Sequence, residues 1–174
     1  MKYLNTEIGF IEFPDEISLL INITNCRFHC KGCHNKEAWD FNYGNKFTEE
    51  TTKRILNLLD KNYITGLSIL GGEPLEPSNQ QGLVDLVKQV KQKFPDKTIW
   101  LYSGYTWDYI FDYINTVDVI GNQIRNEILK YCDVLVDGRF EEDKKDLLNK
   151  LIDLIIKLNN TSIEAYENRL FFFF

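Results

Sequence analysis

Short apolar runs, set apart by longer stretches of helical periodicity, restrict the architectures open to this sequence. Ile17–Ile23 (ISLLINI) places Ile17, Leu19, Ile21 and Ile23 on one face at a period of two, the signature of a strand. Gly66–Leu70 (GLSIL) reads as a buried strand stopped by Gly71-Gly72, Thr98–Tyr102 (TIWLY) as a third, and Asp133–Gly138 (DVLVDG) as a later one. Between the first two, Thr48 is a predicted N-cap. Glu49 and Glu50 follow it in the first turn, where the helix dipole favours negative charge, and Ile55, Leu58 and Leu59 keep helical spacing. Leu83, Val87, Val90 and Phe94 form the stripe of a second helix, which Pro95 ends.

Strands joined through helices imply parallel pairing with right-handed crossovers. A complete eight-stranded barrel takes about 250 residues, and this chain has 174. The expected fold class is therefore α/β: a partial (β/α) barrel or an open parallel sheet of βα units, in a single domain. Ligands of such sheets collect at the carboxyl ends of the strands. Four unusual segments lie there: the loop after Ile23, GGEPLEP after Leu70, SGY after Tyr102 and DGRF after Val136. They are expected to face one cavity.

The loop after Ile23 is the most unusual of the four. CRFHCKGCHN, residues 26–35, holds three of the four cysteines and both histidines. Hydrophobic residues at 44% and charged residues at 26% describe a soluble globular protein. No apolar run is long enough to span a bilayer, and MKYLNTEIGFIEF lacks the basic, apolar and small-residue regions of a secretory signal, so a cytoplasmic location is expected. In a reducing compartment, clustered cysteines serve as metal ligands or catalytic groups rather than disulfides. A net charge of −6 argues against nucleic-acid and membrane partners.

Cys26, Cys30 and Cys33 follow the spacing C-x3-C-x2-C, which lets three thiolates reach one centre from a single loop. A structural zinc normally takes four protein ligands and an electron-transfer [4Fe–4S] cluster four cysteines. Three thiolates on a cubane leave one iron open to a small molecule. Other donor sets stay open on the residues alone: His29 or His34 closing a zinc site, or Cys132 as a distant fourth ligand. Cys132 precedes an apolar strand, where a lone cysteine is most often simply buried. Gly71 and Gly72 suit a close backbone approach, and Glu73 offers a carboxylate beside them. Loop carbonyls and a carboxylate can together hold an ammonium group, such as that of an amino-acid-like cofactor.

The three-cysteine loop with the downstream GGEP resembles the radical S-adenosylmethionine superfamily. More narrowly, CKGCHNKEAW (Cys30–Trp39), LSILGGEPLEP (Leu67–Pro77), IWLYSGY (Ile99–Tyr105) and VLVDGRF (Val134–Phe140) resemble the activating proteins of anaerobic ribonucleoside-triphosphate reductase. The likeness runs in matching order from about residue 8 to about residue 147 and implies a radical S-adenosylmethionine domain over residues 1–147, followed by an atypical tail over 148–174.

The resemblance implies that Cys26, Cys30 and Cys33 bind a [4Fe–4S] cluster and that S-adenosyl-L-methionine occupies its open iron. Gly32, Cys33 and His34 would lie near that cofactor, Gly71, Gly72 and Glu73 would hold its methionine amino group, and Ser103 would face the same cavity. It implies as partners the reductase, which receives a glycyl radical, and a small electron-donor protein such as a flavodoxin or ferredoxin. The rival readings are a radical S-adenosylmethionine enzyme acting on another protein or a small molecule, and a non-enzymatic zinc or iron–sulfur binding module.

Two departures accompany the resemblance. EFPDEISLL (Glu12–Leu20) replaces the Gly-Pro-Gly and arginine often found before the first strand of the family. No Gly-Ser, Asn-Gln-Arg type segment follows VDGRF; instead Leu148, Leu151, Ile152 and Ile155 keep a helical spacing that predicts an amphipathic helix in the tail.

Overall fold

The computed structural model of the chain describes residues 1–10, 17–112, 119–141 and 156–157. One seven-stranded sheet runs through them in the order β3-β1-β2-β4-β5-β6-β7. Its centre is built from β2 (Ile17–Ile23), β4 (Gly66–Gly71), β5 (Thr98–Ser103) and β6 (Val134–Asp137), all parallel. Of the two expected forms this is the open sheet: its outermost strands are different elements, so it does not close on itself.

Both edges are antiparallel. β1 (Lys2–Phe10) pairs with β2, and the short β3 (Asn45–Lys46) pairs with the start of β1. On the far side β7 (Ile156–Lys157) pairs with β6. β1 was not anticipated from its composition, because KYLNTEIGF alternates weakly and exposes Asn5, Glu7 and Ile8 together. Its strand form comes from the ladder offered by β2, a tertiary cause that local propensity does not carry.

Four α-helices are described: α1 (Glu49–Leu59), α2 (Pro77–Lys93), α3 (Trp107–Asp112) and α4 (Val119–Leu129). A 3-10 turn, Lys36–Trp39, follows the cysteine loop. Thr48 caps α1 as its sequence predicts. Its side chain accepts from the Thr51 N–H at 3.4 Å while Thr51 Oγ1 accepts from the Thr48 N–H at 3.3 Å, so two otherwise orphaned donors are satisfied. α2 closes one residue before the predicted stripe ends, with Phe94 as its C-cap. The segment that holds Leu148, Leu151, Ile152 and Ile155 lies outside the described residues.

The core sits between the sheet and α1 and α2. Leu19, Ile21, Ile23, Leu67, Ile69, Ile99 and Leu101 from the strands meet Ile55, Leu59, Leu83, Leu86, Val87 and Val90 from the helices in one buried cluster. Alternate strand residues supply that face, as the period-two pattern requires. Burying a single aliphatic side chain of this kind contributes about 1.5–3 kcal/mol. The result is a rigid platform whose parallel strands all deliver their following loops to the same edge.

Thr48→Ala is expected to lower unfolding stability by about 1 kcal/mol through loss of the capping box, read as a shift in the urea midpoint with an unchanged slope.

Candidate cluster-binding site

Ile23 ends β2 directly beside Gly71, its register partner on β4. The two backbones come so close that a Cβ on Gly71 would sit 2.7 Å from the Ile23 carbonyl oxygen, and one on Gly72 would sit 2.8 Å from the Thr24 carbonyl. Gly71 also holds a φ of +107°, a region that other residues rarely enter. Glycine is thus required here twice over. The reward for the close approach is a hydrogen bond from the Gly72 N–H to the Ile23 carbonyl at 2.6 Å.

Glu73, the next residue, is fully buried. Its Oε1 accepts from the Leu75 N–H and from Ser103 Oγ, and its Oε2 accepts from the Gly104 N–H, all at 2.8 Å. Burial pushes its carboxyl up to about 7, against the pull of those three donors. The side chain therefore braces the end of β4 against the end of β5. Sequence reasoning placed Glu73 at the site but gave no sign that both of its oxygens would be engaged by the protein.

The same junction grips the chain leaving β2. Asn79 of α2 donates to the carbonyls of Thr24 and Glu73, each at 2.9 Å, and the Glu73 N–H donates to the Asn25 carbonyl at 3.3 Å. Asn25, at a φ of +66°, donates through Nδ2 to Ser78 Oγ at 2.9 Å. Asparagine tolerates that left-handed conformation better than most residues. Arg27 then forms a two-pronged pair with the buried Glu76, Nε to Oε2 at 2.7 Å and Nη2 to Oε1. None of Ser78, Asn79 or Glu76 was singled out from the sequence, although GGEPLEPSN contains all three within reach of the glycine pair.

These supports present Cys26, Cys30 and Cys33 at the carboxyl end of β2. Cys26 is buried, whereas Cys30 and Cys33 are partly exposed. Burial pushes the Cys26 thiol up to about 11. The Cys26 N–H is tied to the Ala38 carbonyl at 2.9 Å, the Cys33 N–H to the Cys30 carbonyl at 3.2 Å, and the Asn35 N–H donates to Cys33 Sγ at 3.4 Å. Asn35 thus supports the loop through its backbone rather than through the side chain.

The donor set, three thiols on one short loop, suits a soft sulfur-rich centre. Among the described residues no group of three or more His, Cys, Asp or Glu is gathered as a single metal ion would require. A cubane makes a different demand, taking each thiolate on a separate iron. The two histidines have other company: His29 stacks on Trp39 with ring centroids 4.6 Å apart, and His34 meets Phe140 edge-on at 5.6 Å. Cys132 is buried just before β6, whose parallel alignment puts it at the opposite end of the sheet, where its Sγ donates to the Ile128 carbonyl. It does not belong to the loop's donor set.

Phe28, inside the loop, is its apolar anchor. Its ring meets Tyr105 edge-on at 4.8 Å, lies under the Arg139 guanidinium at 4.5 Å, and fills the space left by Gly104. The DGRF segment after β6 thereby closes over the cysteine loop. Asp137 of that segment accepts from the Trp107 N–H at 2.6 Å and fixes the start of α3.

The four carboxyl-end segments do not all face one open space. A cavity of about 810 Å³ is lined by His34, Asn35, Leu70 and Gly71 together with Asn5, Asn22 and Asn45 from the β1–β3 side. Glu73 and Ser103 are instead buried, their polar groups consumed in joining the ends of β4 and β5, and Asp137 is buried with Oδ2 on the Trp107 N–H and Oδ1 without a hydrogen-bond partner among the described residues. Of the residues expected around the cofactor, the structure brings His34 and Gly71 to this cavity, leaves Gly32, Cys33 and Gly72 beside them in the chain but outside its lining, and buries Glu73 and Ser103.

Comparison with known proteins adds a family to this geometry. Residues 17–152 match the model of the 4Fe-4S single cluster domain family. The chain is 38% identical over 125 residues to the anaerobic ribonucleoside-triphosphate reductase-activating protein of Enterobacteria phage T4, an alignment covering 72% of each chain. It is 38% identical over 126 residues to the protein of that name from Pasteurella multocida (strain Pm70), covering 71% of this chain and 74% of the relative. The corresponding protein of Escherichia coli (strain K12) is 33% identical over 126 residues, covering 71% and 75%.

A Cβ on Gly104 would lie 2.5 Å from the Phe28 ring, so Gly104→Ala is expected to destabilise the fold by about 1–3 kcal/mol. Adding Phe28→Leu should recover part of that loss. Strict additivity of the two changes in thermal unfolding would show that the ring is not held by this contact.

Proposed function

The chain belongs to the family of anaerobic ribonucleoside-triphosphate reductase-activating proteins, and on that premise we propose that it uses a [4Fe–4S] cluster and S-adenosyl-L-methionine to install a glycyl radical on such a reductase. Cys26, Cys30 and Cys33 would each hold one iron, leaving the fourth for the cofactor. When bound, the cluster and cofactor supply a one-electron cleavage of the sulfonium and a 5′-deoxyadenosyl radical able to take a hydrogen atom from glycine.

The chain's own part is to hold and to exclude. The glycine pair opens backbone room for the methionine amino group beside Gly71 and Gly72. Glu73 keeps that backbone fixed and sets its carboxyl group nearby, and Ser103 holds Glu73 in turn. Gly32 leaves space beside the last cluster ligand, and His34 stands at the cavity rim with Phe140 behind it. The cavity on the β1–β3 side is the entry for a loop of the protein substrate. On this reading the radical S-adenosylmethionine domain covers residues 1–147, residues 148–174 form the tail, and the setting is a reducing cytoplasm with a small flavodoxin or ferredoxin as electron source. Among the described residues no helix is long and apolar enough to cross a membrane.

The observation that carries the reading is the pairing of a three-thiol loop with a glycine-glycine-glutamate junction at adjacent parallel strand ends. Protein reconstituted anaerobically with iron and sulfide, reduced with dithionite and given S-adenosylmethionine is expected to release 5′-deoxyadenosine. Cys30→Ala should lower that release at least a hundredfold, about 2.7 kcal/mol in barrier terms. With a reductase added, an electron-spin resonance doublet from its glycine is expected. A fully loaded cluster that yields neither product would overturn the assignment.

A further inference from the structure

Asparagine is poorly suited to strand interiors, yet β1 and β2 set two of them against each other. Asn5 and Asn22 are register partners. β1 fits one extra residue, Leu4, between Tyr3 opposite Ile23 and Asn5 opposite Asn22, so a bulge directly precedes the pair. Asn45 donates to the carbonyl of that extra residue at 3.4 Å. Bulges of this kind re-aim side chains and occur beside functional sites. Ile21 and Ile23 belong to the core packed against the helices, so Asn22 between them lies on the other face of the sheet. Neither asparagine serves the core.

Their amides are ordered by a third residue. Asn22 Nδ2 donates to Asn5 Oδ1 at 2.6 Å and to Glu7 Oε1 at 3.3 Å, so both of its hydrogens are committed. Turned over, the Asn22 amide would set its oxygen against the Glu7 carboxylate. Glu7 therefore fixes Asn22 Oδ1 as the remaining acceptor, and Asn5 Nδ2 is left as a donor. Neither atom has a hydrogen-bond partner among the described residues. Both asparagines line the cavity that His34, Asn35 and Gly71 also line. Among the described residues of that lining none is buried, and Glu37 is the single carboxylate. Pockets for small molecules cover most of the ligand's surface, whereas this open trough suits a chain that enters and leaves.

Resting on the function proposed above, we infer that Asn5 and Asn22 are specificity-determining residues that read the main chain of the polypeptide substrate. Asn5 Nδ2 donates to a carbonyl of the incoming segment, and Asn22 Oδ1 accepts from one of its N–H groups. A polypeptide offers these two groups at nearly every residue, and a side-chain amide matches them without bringing a charge into the cavity. A glycine has no side chain to be recognised, so its main chain is what a site can grip. Glu7 is the positioning residue of the pair, since it acts through Asn22. An amide pair that contradicts strand propensity is the kind of local exception found at functional sites.

The test titrates cluster-loaded protein anaerobically by calorimetry with two probes, a synthetic peptide spanning the radical-bearing glycine of a reductase and S-adenosylmethionine. Wild type should bind the peptide. Methylating the peptide's backbone nitrogens one at a time should find a position that weakens binding about tenfold, the loss of one hydrogen bond. Asn22→Leu should bind the unmodified peptide about tenfold more weakly and lose the discrimination at that position. Asn5→Leu should weaken the peptide by a similar factor, whereas Glu7→Gln, which keeps an acceptor for Asn22, should discriminate as wild type does. All three variants should match wild type in S-adenosylmethionine affinity. An undiminished methylation effect in Asn22→Leu overturns the inference, as does failure of wild type to bind the peptide. Loss of S-adenosylmethionine affinity in either leucine variant also overturns it and assigns the pair to the cofactor. Wild type that binds both probes but releases no 5′-deoxyadenosine after dithionite reduction overturns the proposed function, while the methylation series still reads the pair.

Discussion

The buried carboxylate of Glu73 is the interaction on which the functional edge of this protein depends. It accepts three hydrogen bonds from two adjacent loop systems, Leu75 on its own and Ser103 and Gly104 on the next. A charge out of water is costly unless it is met by donors, and here every donor comes from backbone or hydroxyl groups whose positions the sheet already fixes. The carboxylate therefore converts the regular spacing of β4 and β5 into a fixed geometry for the loops beyond them.

From that brace the order passes to the cysteine loop by contact rather than by charge. Two glycines without side chains let β2 and β4 run together to their ends, and Asn79 ties both exits to α2. The loop then turns through residues with positive φ at Asn25, His29 and Gly32, each reversal spacing the thiols along a compact path. Phe28 pins the middle of that path into the hollow at Gly104. A loop with three thiols and little apolar content of its own would have many conformations. The packing of one ring and the pairing of exposed Arg27 with buried Glu76 reduce them.

The two halves of the loop meet different parts of the molecule. Its second half, with His34 and Asn35, rims the cavity against β1 and β3. Its first half, with Arg27 and Phe28, leans on α2 and on the segments after β5 and β6.

Much of this was legible in the sequence. The four parallel strands, the cap at Thr48, the C-x3-C-x2-C loop and the glycine pair are properties of consecutive residues, set by backbone period, by cap chemistry and by residue spacing. They can be read without knowing what lies opposite. What only the tertiary structure decided are pairings between distant residues. Polar β1 became a strand because β2 supplied its ladder. Glu73 became a brace because Ser103, thirty positions away, lies on the neighbouring strand end. Cys132 was removed from the ligand question because parallel β6 begins where β2 also begins, at the far end of the sheet from the loop. Local sequence fixes which groups a segment offers; only the register of the assembled sheet determines which of them meet.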